Sequence, residues 1–165
     1  MSSIKTTVEI NLSYNGIGDD ECEQLAKVIK QSKTVKRLIL ENNHIHMKGA
    51  QVLAAALTPE TGKDDPALEE LNLKNNGVGS EGATAIAQVL TSNKNLKQIN
   101  LYWNNIGNSG LQAICQNLRN DFPKDFVLVL PPRPIPPSFH PLPSSIPLLL
   151  PSPSSFHPLP PPFPS

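Results

Sequence analysis

The chain is poor in the features that would name a function at sight. No stretch approaches the ~18 consecutive apolar residues of a membrane-spanning helix, and the opening residues MSSIKTTVEI lack the basic region and apolar run of a secretory leader. Charge of one sign is missing as well: 14 Lys and Arg are balanced by 14 Asp and Glu, and the two signs are interspersed. That excludes the basic face a nucleic-acid binder needs. The two cysteines, Cys22 and Cys115, are too few for a disulfide framework and agree with a reducing compartment. No nucleophile, base and orienting group assemble in the sequence. These absences predict a cytoplasmic, monomeric, non-enzymatic chain with no cofactor, no metal, no nucleic-acid partner and no membrane partner.

Proline and repetition are what the chain has in abundance. Ordinary domains carry about one proline in twenty residues; here there are 18, and 15 of them follow residue 130. A domain is therefore expected over residues 1–130, with a Pro/Ser-rich disordered tail over 131–165. Within the first part, Leu68 to Leu90 (LEELNLKNNGVGSEGATAIAQVL) has three relatives: Thr7 to Ile29, Val35 to Leu57, and Leu96 to Leu118. The copies occupy about 7–34, 35–67, 68–95 and 96–123. The third is delayed by the loop-like TPETGKDDP, residues 58–66. A partial strand is expected at 126–130.

Four columns of these copies carry the physics. A strand pair, Ile10 and Leu12, Leu38 and Leu40, Leu71 and Leu73, Ile99 and Leu101, has the period of two that sends both side chains to one face. Asn15, Asn43, Asn76 and Asn104 close the strands, placed to bond the backbone of their own turn and of the next copy. Ile17, Ile45, Val78 and Ile106 follow two residues later. Last comes a helical stripe at i, i+3, i+4 and i+7, for example Ala83, Ile86, Ala87 and Leu90. One copy cannot bury that much apolar surface alone, so parallel strands on one side and helices on the other must stack into a shared core. Continued at the same spacing, Val127 and Val129 would form a fifth strand pair. Pro131 and Pro132 would then stop the stack, because proline cannot donate to a ladder. Neither end shows a dedicated capping unit, so frayed ends are expected.

The pattern L-x-x-L-x-L-x-x-N with a helix after it resembles the leucine-rich repeat, and the 28-residue length, N-x-I-G and small helix-opening residue are similar to the ribonuclease-inhibitor type. The resemblance implies an α/β fold: a right-handed leucine-rich-repeat solenoid, a short horseshoe arc with parallel strands on the concave side and helices on the convex side. It implies a protein-protein interaction module. Two relatives of the same repeat type supply alternatives, a fragment of a NACHT-type immune sensor and a Ran-type GTPase-activating protein. The second is disfavoured because no arginine lies in a strand-to-helix turn. Thr7, His44 and His46 depart from the family pattern.

Other motifs dissolve on comparison between copies. Gly77 to Gly82 spells G-x-G-x-x-G between a strand and a helix, but the slot reads GIGDDE, HIHMKG and NIGNSG elsewhere, and no acidic residue stands about 20 positions on to hold a ribose. It is the repeat's own turn. His44 and His46 have no ligand partners at metal spacing. Asn11-Leu12-Ser13 is a sequon that lies within a strand of a chain read as intracellular, a chance match. Cys22 and Cys115 fall on core stripes in distant copies, beyond disulfide reach.

What remains is the strand face pointing away from the core. Its rows are Glu9, Arg37, Glu70, Gln98; Asn11, Ile39, Asn72, Asn100; Ser13, Glu41, Lys74, Tyr102; and Tyr14, Asn42, Asn75, Trp103. Rows of mixed polarity are usually only a solvated surface. Aromatic residues are enriched at binding hot spots, and strand-end aromatics contact the partner in the family this chain resembles. The expected protein-binding residues are Tyr14, Arg37, Glu41, Glu70, Asn72, Lys74, Gln98, Asn100, Tyr102 and Trp103. The P-x-x-P at Pro131 to Pro137 is a second binding candidate, although Arg133 does not sit at the usual flanking spacing for an SH3 ligand. A third reading is that the tail is an irregular end with no selected function.

Overall fold

A computed structural model describes residues 8–62, 64–118 and 126–130. Strands and helices alternate along it: β1 (Val8–Asn11), α1 (Glu21–Gln31), β2 (Val35–Ile39), α2 (Met47–Leu57), β3 (Glu70–Asn72), α3 (Gly79–Val89), β4 (Gln98–Asn100), α4 (Gly107–Asn117) and β5 (Val127–Val129). The five strands form one parallel sheet in sequence order. The register pairs equivalent residues of successive copies, Ile10 with Leu38, Leu38 with Leu71, Leu71 with Ile99. This is the stacked α/β solenoid expected from the columns.

Burial follows the columns. Leu38, Leu40, Leu71, Leu73, Ile99 and Leu101 are buried, with Ile45, Val78 and Ile106 beside them and the stripes of α2 and α3 closing the core. Copy one is less enclosed, since Ile10, Leu12, Ile17, Leu25 and Ala26 are only partly buried. Helices approach closely where Gly49, Gly82 and Gly110 open them. A Cβ on Gly82 would lie 2.8 Å from Val78 Cγ1 and 2.9 Å from the Ala50 methyl. Copy one has Glu21 in that glycine slot, and Gln24 where α2, α3 and α4 have Val52, Ala85 and Ala113. Both polar side chains are exposed on copy one.

The asparagine column is a ladder, and it runs opposite to the expected direction. Asn43 Oδ1 accepts from Asn15 N (3.1 Å) and Ile17 N (2.9 Å), while its Nδ2 donates to the carbonyls of Leu12, Leu40 and Glu41. Asn76 does the same for Ile45 N and Leu40 O, and Asn104 for Val78 N and Leu73 O. Each amide therefore completes its own turn and that of the preceding copy. The cause is geometric: the turn of one copy leaves its N–H and C=O groups pointing along the stack toward the asparagine that follows. Helix capping is shared between copies too. Asp19 Oδ1 accepts from His46 N (2.8 Å) and Gly49 N (2.9 Å) at the start of α2, which supplies a cap that α2 lacks within its own residues.

The fifth strand corrects the expected register by one residue. Leu128 pairs with Ile99, while Val127 pairs with Gln98 and Val129 with Asn100. Phe126, Leu128 and Leu130 are buried, so Val127 and Val129 face the opposite side of the sheet from the one predicted. From Ile99 to Leu128 is 29 residues, one more than between Leu71 and Ile99, and a slip of one residue turns every side chain to the other face. The tail over 131–165, with its P-x-x-P, and Thr7 lie outside the described residues.

Candidate protein-binding face

The outward face of the sheet is built from β1 to β5 and the turns that follow them. Across the strand centres, Arg37 lies directly between two carboxylates of neighbouring copies. Its Nη1 is 2.5 Å from Glu9 Oε2 and its Nε 2.6 Å from Glu70 Oε2. The hydrogen bond to Glu70, with the charges of Glu70 and Glu9, raises the guanidinium's already high pKa. Two rows closer to the turns, Lys74 Nζ sits 2.6 Å from Glu41 Oε1. Thus Arg37, Glu41, Glu70 and Lys74, four of the expected contact residues, spend their charge on one another across strands. These pairs, from half-buried to exposed, neutralise the centre of the face.

The asparagines of the second row are also occupied. Asn72 Oδ1 accepts from Lys74 N (2.9 Å) and Asn100 Oδ1 from Tyr102 N (3.0 Å), each holding its own strand end. Asn11 does the same for Ser13. Ile39 stands in this row in copy two and is 9% exposed. Gln98 lies between Glu70 and Val127. Val127 and Val129 were missed as members of the face because of the register slip; counting alternation back from Leu130 instead of forward from Leu101 would have found them.

The turn column has a backbone signature. Tyr14, Asn42, Asn75 and Trp103 all have left-handed backbones, with φ of 60°, 55°, 52° and 55°. Asparagine tolerates this region, whereas a bulky side chain there costs free energy. The two middle copies follow that preference, and the Asn75 amide donates to Asn42 Oδ1. The two outer copies place an aromatic ring there instead. Tyr14 is 76% exposed. Trp103 stacks on Tyr102, with centroids 5.0 Å apart and planes 24° from parallel, and Lys74 Nζ stands 6.0 Å from its ring centre. The face therefore has an aromatic at one end, a stacked aromatic pair with two valines toward the other, and self-paired charges between.

Neither cysteine serves this face. Cys22 is fully buried, its Sγ 3.3 Å from Gly18 O, and burial, then the charges of Asp19 and Glu21, push its thiol up to about 12. Burial raises the Cys115 thiol as well. At the abandoned glycine motif, a Cβ on Gly77 would run into the His46 imidazole of the preceding copy. That glycine is an inter-copy packing requirement.

The Leucine Rich repeat family matches residues 6–26, 31–54, 66–87 and 92–115, one segment per copy. The chain belongs to the leucine-rich repeat family. Its repeats are of the ribonuclease-inhibitor type: ribonuclease inhibitor from Mus musculus is 32% identical over 91 residues, which are 54% of this chain and 19% of that protein. The chain thus spans about a fifth of the relative's length. Among solved structures, the leucine-rich repeat fold here is similar to that of Leiomodin-1 Actin-Binding Site 2 (ABS2), with a TM-score of 0.63 at 20% identity, covering 74% of this chain and 69% of that one. This second likeness is one of fold.

Proposed function

We propose that this leucine-rich repeat chain is a non-enzymatic protein-interaction module that takes a protein partner on the concave face, with contact concentrated at Tyr14 and at Tyr102 and Trp103. The observation that carries the reading is the left-handed turn column, in which two aromatic rings occupy a conformation that favours asparagine. Backbone strain of this kind concentrates at functional sites. The names of ribonuclease inhibitor and of the actin-binding site in Leiomodin-1 both describe engagement of another protein, which supports the same class of function. Because Arg37 and Lys74 are already paired with carboxylates, charge contributes less to this contact than the rings do. Rim charges mainly set encounter rate, whereas buried aromatics carry affinity.

The test is a pull-down with the full chain as bait, beside the double variant Tyr102→Ala, Trp103→Ala and the single variant Arg37→Gln. Partners captured by the wild-type chain should be lost from the double variant and retained by Arg37→Gln. If every partner binds the double variant with unchanged affinity, the concave-face assignment is wrong.

A further inference from the structure

The sequence contains Asn-Gly twice, at Asn15-Gly16 and Asn76-Gly77, in the same slot of copies one and three. This dipeptide is the one most prone to spontaneous deamidation, because a glycine with no side chain leaves its amide nitrogen open to attack the asparagine amide. The two sites differ sharply in how they are held. Asn76 Oδ1 accepts from Ile45 N (3.0 Å), and its Nδ2 donates to the carbonyls of Leu40 (2.9 Å), Leu73 (3.0 Å) and Lys74 (3.3 Å). The attacking atom, Gly77 N, is itself bonded to Ile45 O at 2.8 Å.

Asn15 heads the ladder, and its amide makes one bond, from Nδ2 to Ser13 O at 2.9 Å. Asn43 holds the N–H groups of Asn15 and Ile17 but not that of Gly16 between them. Among the described residues no carbonyl accepts from Gly16 N. Gly16 has φ +66° with nothing within 4 Å of its would-be Cβ, so there is room for a ring to close. Asn15 is also exposed, whereas Asn76 is half-buried.

We propose that Asn15 is a site of spontaneous deamidation in the folded protein and that the asparagine ladder shields Asn76 from the same reaction. Gly16 N attacks Asn15 Cγ and the Cγ–Nδ2 bond breaks. The amide group leaves as ammonia, carrying the proton from Gly16 N, and a five-membered succinimide remains. Water then opens the ring at either carbonyl to give aspartate or isoaspartate. No oxidant or reductant takes part. The product adds one negative charge to a chain of formal net charge zero, in the turn that carries Tyr14. To react, Asn76 and Gly77 must break four more hydrogen bonds than Asn15 and Gly16. At about a factor of two or more for each, conversion at Asn76 is at least about tenfold slower.

The experiment ages the full chain in mildly alkaline buffer and follows the mass gain and isoaspartate content of the peptides bearing residues 15 and 76, with and without urea. Native protein should convert at Asn15 at least about tenfold faster than at Asn76, and the two rates should converge in urea. Equal rates in the native chain would overturn the proposal, as would an unreactive Asn15. A preference for Asn15 that persists unchanged in urea would assign the difference to flanking sequence and remove the ladder from the explanation.

Discussion

Replacing Tyr14 by asparagine should make the protein more stable while making it a poorer binder. Tyr14 holds φ at 60° and is 76% exposed, so its ring contributes little burial to offset the left-handed backbone. The same turn position is asparagine in copies two and three, at φ 55° and 52°. Relief of the steric penalty is worth about 1 kcal/mol. The backbone bond from Tyr14 N to Glu41 O, 3.0 Å long, survives the change. For a domain of this size about 1 kcal/mol corresponds to a rise in Tm of roughly 3–5 °C. Tyr14→Ala is the control, because alanine pays the left-handed penalty too and should gain nothing. Thermal melts followed by circular dichroism, with the pull-down run in parallel, separate the effects. A Tm for Tyr14→Asn below that of the wild-type protein, or equal gains for asparagine and alanine, would refute the reasoning that strain is stored in this turn.

Other substitutions test the stack itself. Asn43→Ala strips the N–H groups of Asn15 and Ile17 and the Leu12 carbonyl of their partner, while Leu40 O keeps Asn76 Nδ2 and Glu41 O keeps Tyr14 N, and should cost about 3 kcal/mol in urea unfolding, against under about 1 kcal/mol for Asn15→Ala, which removes one exposed bond. Gly82→Ala forces a methyl to 2.8 Å from Val78 Cγ1 and 2.9 Å from Ala50 Cβ, and should destabilise by about 1–3 kcal/mol through overpacking. A thiol reagent should label Cys115 well before the fully buried Cys22. The fold favours the neutral Cys22 thiol, whose pKa rises from 9.0 to about 12. That contribution is complete below pH 9.0 and declines as pH climbs toward about 12. The alkaline loss of stability should therefore be smaller in Cys22→Ala, and an identical pH profile would show that the thiol does not titrate as described.

The sheet, the helices and the core were readable because burial imposes periodicity, and Leu38, Leu71 and Ile99 fell in the columns assigned to them. Features that depend on backbone torsion or on the exact path between copies were not. Nothing in the letters shows that Tyr14 and Trp103 share a left-handed conformation with Asn42 and Asn75. Alternation counted forward from Leu101 also could not reveal the extra residue before β5, which moved Val127 and Val129 onto the outer face. The outward rows were identified correctly as rows, but pairing across them was invisible: Arg37 and Lys74 looked available for a partner and are held by Glu9, Glu70 and Glu41. Direction was the last thing hidden. An asparagine at a strand end can bond forward or backward, and only the geometry of the turn selects backward.

That backward direction imposes an order in time. A ribosome delivers copy one first, yet the carbonyl of Leu12 and the N–H of Ile17 have no partner until Asn43 has been made, and the start of α2 then looks back to Asp19. Each newly synthesised turn must wait roughly one repeat before it can close. Assembly during translation therefore trails the growing chain by a fixed interval, and a pause within any copy leaves the turn before it open.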